Sequence, residues 1–134
     1  MYTKISSITF LILISLSLNL FAQPASIHFN VNMSWQIETG NFDPEEDFVD
    51  IAGDFNEWGE ILTPLSDANN DSIYDVMIDD FYVGQNIQFK FRLNGVWDGN
   101  EEFPGGGPNR QYTVASAADS VYYWYNDELP GSGD

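Results

Sequence analysis

The chain contains no cysteine, one histidine (His28) and four basic residues against 21 acidic ones, for a net charge of −17 over 134 residues. Each scarcity excludes something. Without cysteine there is no disulfide framework and no thiolate for a metal or a lipid anchor, so core packing alone must hold the fold. A single histidine rules out a His-based metal cluster. Set in an alternating segment, it does not suggest a catalytic triad either. So large an acidic excess argues against nucleic acid or anionic lipid as partner. Its simplest use is to keep the chain soluble. Long helical periodicity is missing too, so no second layer of helices is expected.

The one long apolar run lies at the start. Met1–Lys4 is a short positive region, Ile8–Phe21 is apolar apart from Thr, Ser and Asn, and Ala22 precedes Gln23-Pro24. This reads as a secretory signal peptide over residues 1–22, too short and wrongly flanked to span a membrane. The expected location is therefore secreted, periplasmic or extracellular. Cleavage is expected after Ala22, with Leu20 larger than such a site prefers. The remaining 112 residues are enough for one domain with one modest core. That domain is expected over residues 23–127, followed by a flexible Gly/Ser/Pro tail over 128–134.

Within the domain the pattern has period two. Ile27, Phe29, Val31 and Met33 alternate with His28, Asn30 and Asn32. Ile87, Phe89, Phe91 and Leu93 alternate with Gln88, Lys90 and Arg92. Shorter runs at Val49–Ile51, Ile73–Ile78, Gln111–Val114 and Val121–Tyr125 are separated by turn residues such as Asn94-Gly95 and Gly105–Pro108. Ser34–Thr39 suits one helical turn. The sum is an all-β chain: an antiparallel β-sandwich, immunoglobulin-like, of about seven strands.

Outside the leader, the basic residues are Lys90, Arg92 and Arg110, all in one region beside Trp97 and Asn109. With Phe89 and Phe91 facing the core, Lys90 and Arg92 are expected on the outer, solvated face of the sheet. Asn94-Gly95 turns the chain just before Trp97, so Lys90 and Trp97 can approach each other. An indole face stacks on the apolar face of a pyranose, and short polar side chains take its hydroxyls. Read alone, Trp97 suits a core position equally well, and the two basic residues suit an ordinary solvated face.

Gly53-Asp54-Phe55-Asn56-Glu57-Trp58-Gly59, Phe89-Lys90-Phe91-Arg92, Trp97 and Pro108-Asn109-Arg110-Gln111-Tyr112-Thr113-Val114 occur in that order. The series resembles the successive blocks of starch-binding domains of carbohydrate-binding module family 20. The Phe-Asn-x-Trp element also resembles family 48 glycogen-binding modules. The resemblance runs from about Ile27 to Asn126. It implies a non-catalytic α-glucan site formed by Trp58, Trp97, Lys90 and Asn109, with the two indoles as a bent platform. It also implies a second site, for which Trp35, Tyr74 and Tyr82 are candidates, each with a structural role as the alternative. The chain departs from the family in the long segment Asp98–Gly107, whose three final glycines suggest a mobile loop that sets which glycan fits.

Two further motifs carry less. Asp67, Asn69 and Asp71 have the first spacings of a calcium loop but lack its sixth-position glycine and its twelfth-position acid. An Asn/Asp-rich hairpin turn explains them better, and no cofactor is implied. Glu101 and Glu102 are adjacent on one loop, unlike the opposed carboxylates of a glycosidase, so no enzyme is expected. The expected partner is an α-glucan polysaccharide or oligosaccharide, with no nucleic acid, no membrane insertion and no obligate protein partner. The alternative is a structural or adhesive extracellular β-sandwich that binds a protein.

Overall fold

A computed structural model describes residues 21–131. The expected signal peptide, apart from its last two residues, and the end of the expected tail lie outside the described residues. The described chain forms β1 (Pro24–Asn32), a short helix α1 (Ser34–Glu38), β2 (Val49–Gly53), β3 (Ile73–Tyr82), β4 (Asn86–Leu93), β5 (Arg110–Thr113) and β6 (Ala118–Trp124). Single 3-10 turns occur at Glu57–Gly59 and Tyr125–Asp127. The strands make two three-stranded sheets, ordered β3-β1-β6 and β2-β4-β5.

The β-sandwich is as expected, with six strands among the described residues against about seven. One pairing differs: β1 and β6 run parallel, from Ser26 beside Ala118 to Asn32 beside Trp124. Hairpin turns leave marks in sequence, but a pairing between the first strand and the last leaves none.

Alternation builds the core. Ile27, Phe29 and Val31 of β1 face Ile51 of β2 and Ile87, Phe89 and Phe91 of β4, all fully buried. Phe29 sits at the centre, with ring-centroid distances of 5.3 Å to Phe89, 5.8 Å to Phe55 and 6.2 Å to Phe81. Tyr123 reaches in from β6, 5.6 Å from Phe89. Aromatic pairs of this kind, stacked or edge-to-face, add roughly 0.5–1.5 kcal/mol each beyond the area they bury.

The outer face of β4 was expected to be solvated, and it is not. Lys90 is 5% exposed and Arg92 2%. The alternation places both side chains away from the core as expected. Two segments distant in sequence then cover them: the 57–59 turn, through the Gly59 carbonyl against Arg92, and the loop before β5, through the Gly107 carbonyl against Lys90. Antiparallel register puts Asp50 directly opposite Arg92 on that face, so the covered cation has its counter-ion built in.

Candidate functional site

The first half of the site is made by Asn56. This buried side chain accepts from the Gly53 and Gly59 amides at 2.9 and 3.1 Å through Oδ1. Its Nδ2 donates to the Ile51 carbonyl at 2.7 Å and to Thr63 Oγ1 at 3.0 Å. Four bonds to one amide tie the loop after β2 into a knot. The knot holds Glu57 and Trp58 at φ of 55° and 53°, a left-handed conformation that non-glycine residues adopt only when surrounding structure imposes it. Gly59 follows at φ 85°, and a β-carbon there would fall 2.1 Å from Arg92 Nη2. Glycine is required on both counts.

The second half comes from the turn after β4. Asn94 and Gly95 have φ of 58° and 63°, as a tight hairpin turn requires. Asn94 Oδ1 accepts from the Phe48 amide, and its Nδ2 donates to Asp47. Trp97 follows at 37% exposure, its carbonyl held by Asn100 Nδ2.

The two halves meet. Trp58 and Trp97 have ring centroids 6.5 Å apart and planes inclined at 50°, so their faces form a shallow bent surface. Arg92 supports it: its guanidinium carbon is 4.9 Å from the Trp97 ring centre, and Nη2 donates to the Gly59 carbonyl at 3.0 Å. The same group forms a bidentate pair with Asp50, its shortest contact 2.7 Å. Burial pushes the Asp50 carboxyl above its ordinary value, against the pull of Arg92. Arg92 thus fixes both tryptophan-bearing loops from beneath, a role that its place in an alternating strand did not reveal.

Lys90 and Asn109 lie along the same sheet face but not as freely as expected. Lys90 Nζ donates to the Gly107 carbonyl at 2.8 Å. Asn109 is exposed, and its Nδ2 donates to Gln88 Oε1 at 3.3 Å. Gln88, Lys90 and Arg92 therefore form a row about 13 Å long at ~3.3 Å per strand residue. The tryptophan pair is at the Arg92 end and Asn109 at the Gln88 end.

The 98–107 segment is anchored where a free loop was expected. Leu93 donates to the Asn100 carbonyl, and Glu101 bridges to Arg92 as an added strand residue. Glu102 is fully buried. Its carboxylate accepts from the Phe91 and Asn126 amides and takes a bidentate grip from Arg110. Residues 103–107 form a turn closed by a bond from the Gly107 amide to the Phe103 carbonyl. Arg110 also pairs with Asp127 at 2.8 Å and stacks on Tyr123 at 4.5 Å. The basic cluster that marked this region is therefore mostly internal fastening.

Of the second-site candidates, Tyr74 is buried edge-on against Phe42. Tyr82 is exposed at the end of β3, and Trp35 is half-buried on α1. The structure does not bring the three together into one group. Asp67 caps the amides of Asp71 and Ser72, and Asp71 caps that of Ile73. That last bond chiefly holds the Asp71 carboxyl below its usual range. These oxygens serve the turn, and Asn69 Nδ2 donates to Asp71 within it.

No family model matches the chain, and no curated protein matches it. Among solved structures it is similar to the family 20 carbohydrate-binding module of a maltotetraose-forming amylase from Pseudomonas saccharophila. The two share 18% identity, with a TM-score of 0.47, over 74% of this chain and 100% of that one.

Proposed function

We propose that the protein is a secreted, non-catalytic module that binds α-glucan of the starch or glycogen type. The observation that carries this is the Trp58–Trp97 pair, two partly exposed indoles inclined at 50° on rigid loops. Stacking surfaces bent toward each other suit a chain of pyranoses that curves, and each indole covers the apolar face of one sugar. Asn109 and Gln88, at the far end of the row, offer amide groups to hydroxyls. Lys90 has further donor hydrogens beyond the one it gives to Gly107. A shallow site of this kind binds weakly, in the micromolar to millimolar range, roughly −4 to −8 kcal/mol. Migration in a native gel cast with amylose tests the reading: retardation is expected, and unchanged mobility rejects it.

One observation favours a second reading. Phe48, Ile61, Leu62 and Val96 are exposed, and Phe48 and Leu62 crowd Gly95 in the turn just before Trp97. Three of the four are aliphatic, and aliphatic side chains do not stack on sugars but do suit an apolar protein partner. Maltoheptaose separates the two, since it changes tryptophan fluorescence only if the indoles are the site.

A further inference from the structure

Away from the tryptophan pair, a cavity of about 310 Å³ opens between α1, the 98–107 loop and the Tyr125–Asp127 turn. Leu93 and Pro104 give it apolar wall, while Gln36, Asn41, Asn126, Glu101 and Glu128 give it polar wall. One of these polar groups is out of place. Gln36 is 3% exposed, and its Oε1 has no hydrogen-bond partner among the described residues. Its Nε2 donates to the Tyr125 carbonyl at 3.4 Å. Turning the amide over would set two carbonyl oxygens against each other, so the bare atom is the acceptor. An acceptor left bare at such burial is destabilising, unless something in the cavity donates to it.

The remaining groups say what that donor is. Asn41 has committed its Nδ2 to Thr39, leaving its oxygen. Asn126 has committed its oxygen to the Phe103 amide, leaving its Nδ2. One oxygen of Glu101 accepts from the Gly99 amide, and the other is unassigned. Glu128 brings a second carboxylate. The wall is therefore rich in acceptors, carries two negative charges and contains no basic side chain. Arg110, in the segment after the loop, is already paired with Glu102 and Asp127. A hydroxyl brings two acceptor lone pairs for each donor, whereas a primary ammonium brings three donors and no acceptor. We propose that this cavity binds a small organic cation through a primary ammonium group, which donates to Gln36 Oε1 and is neutralised by Glu101 and Glu128. The site is independent of the glucan reading.

The test is titration of the ¹⁵N-labelled protein at fixed ionic strength, following the side-chain amide signals of Gln36, Asn41 and Asn126. Glucosamine and Nα-acetyl-lysine amide are the ammonium probes, and the tighter of them tells whether an amino sugar or a lysine side chain is the source. N-acetylglucosamine and potassium chloride are the controls. Saturable shifts of the Gln36 signal with either ammonium probe, and none with the controls, are expected. Glu101→Gln and Glu128→Gln should each weaken binding about tenfold, as expected for removing one of two charges around a cation. They leave Gln36 in place, and an unchanged spectrum elsewhere shows that they fold. A Gln36 signal that ignores both probes, or that follows potassium chloride equally, overturns the proposal and leaves an ordered water as the donor. So does an affinity unmoved by both carboxylate variants.

Discussion

Arg92 lies between Trp97 and Asp50: its guanidinium carbon is 4.9 Å from the Trp97 ring centre while its nitrogens grip Asp50 at 2.7 Å. The pair is almost wholly shielded from water, so breaking it leaves an uncompensated buried charge. Arg92→Met should cost about 3–5 kcal/mol of stability in urea unfolding. The double variant with Asp50→Asn should recover part of that loss, because the orphan charge is gone. If Arg92→Met alone matches the wild type, Arg92 does not hold the site together.

Trp97→Ala removes a half-exposed ring whose backbone is fixed independently by Asn100 and the Asn94–Gly95 turn. It should lose about 1–3 kcal/mol of maltooligosaccharide binding with little change in unfolding midpoint. Trp58→Ala should behave alike. Calorimetric titration beside a thermal melt separates the two effects, and a variant that melts early while binding normally contradicts the platform.

Gly59→Ala is expected to be worse than either. Its φ of 85° disfavours any side chain, and the new methyl meets Arg92. A stability loss of about 1–3 kcal/mol follows from the backbone alone. Because Arg92 must move, both tryptophan loops should shift, so binding falls together with stability.

Lys90→Met keeps most of the side-chain volume and removes the bond to the Gly107 carbonyl. It should cost about 1 kcal/mol and speed amide exchange around Gly107 while leaving exchange in the β1 core unchanged. Equal protection throughout would show that the lysine does not close the 103–107 turn.

Tyr112 donates to Asp119 at 2.6 Å, and that bond is the main reason its hydroxyl is pushed from 10.0 up to about 12. A raised acid stabilises the fold below its unfolded value, and that contribution fades as pH climbs through the folded value. Stability should therefore decline between about pH 10 and 12, and Tyr112→Phe should lessen that decline without removing it, because burial also raises the hydroxyls of Tyr74, Tyr123 and Tyr125. The same hydroxyl, with the Ala115 and Ser120 amides, draws Asp119 below its usual range despite burial pushing the other way. An acid-side loss should accordingly appear as pH falls through that lowered value.

The legible part of the fold was the part written in alternation. Ile27, Phe29, Val31, Phe89 and Phe91 announce a strand and its buried side within a few residues, and Asn94-Gly95 announces its turn. The meeting of Trp58 with Trp97 is carried by the family resemblance and not by their spacing, since the two belong to separate loops. What stayed hidden depends on partners far along the chain. Lys90 and Arg92 alternate as exposed residues do, but Asp50, 42 positions away, and two covering loops make them interior. Glu102 looked like one of a pair of loop acids. Only the arrival of Arg110, Phe91 and Asn126 around it makes it the loop's anchor.

The parallel join of β1 to β6 also sets when this domain can exist. Asn30 of β1 donates to the Val121 carbonyl, 91 positions later. Closing so wide a loop is slow and cannot begin until the far strand has been made. During synthesis the opening strand waits with one flank unpaired and the core short of Val121 and Tyr123. A ribosome that stalls before Ala118 therefore yields not a smaller module but a sticky, protease-sensitive fragment.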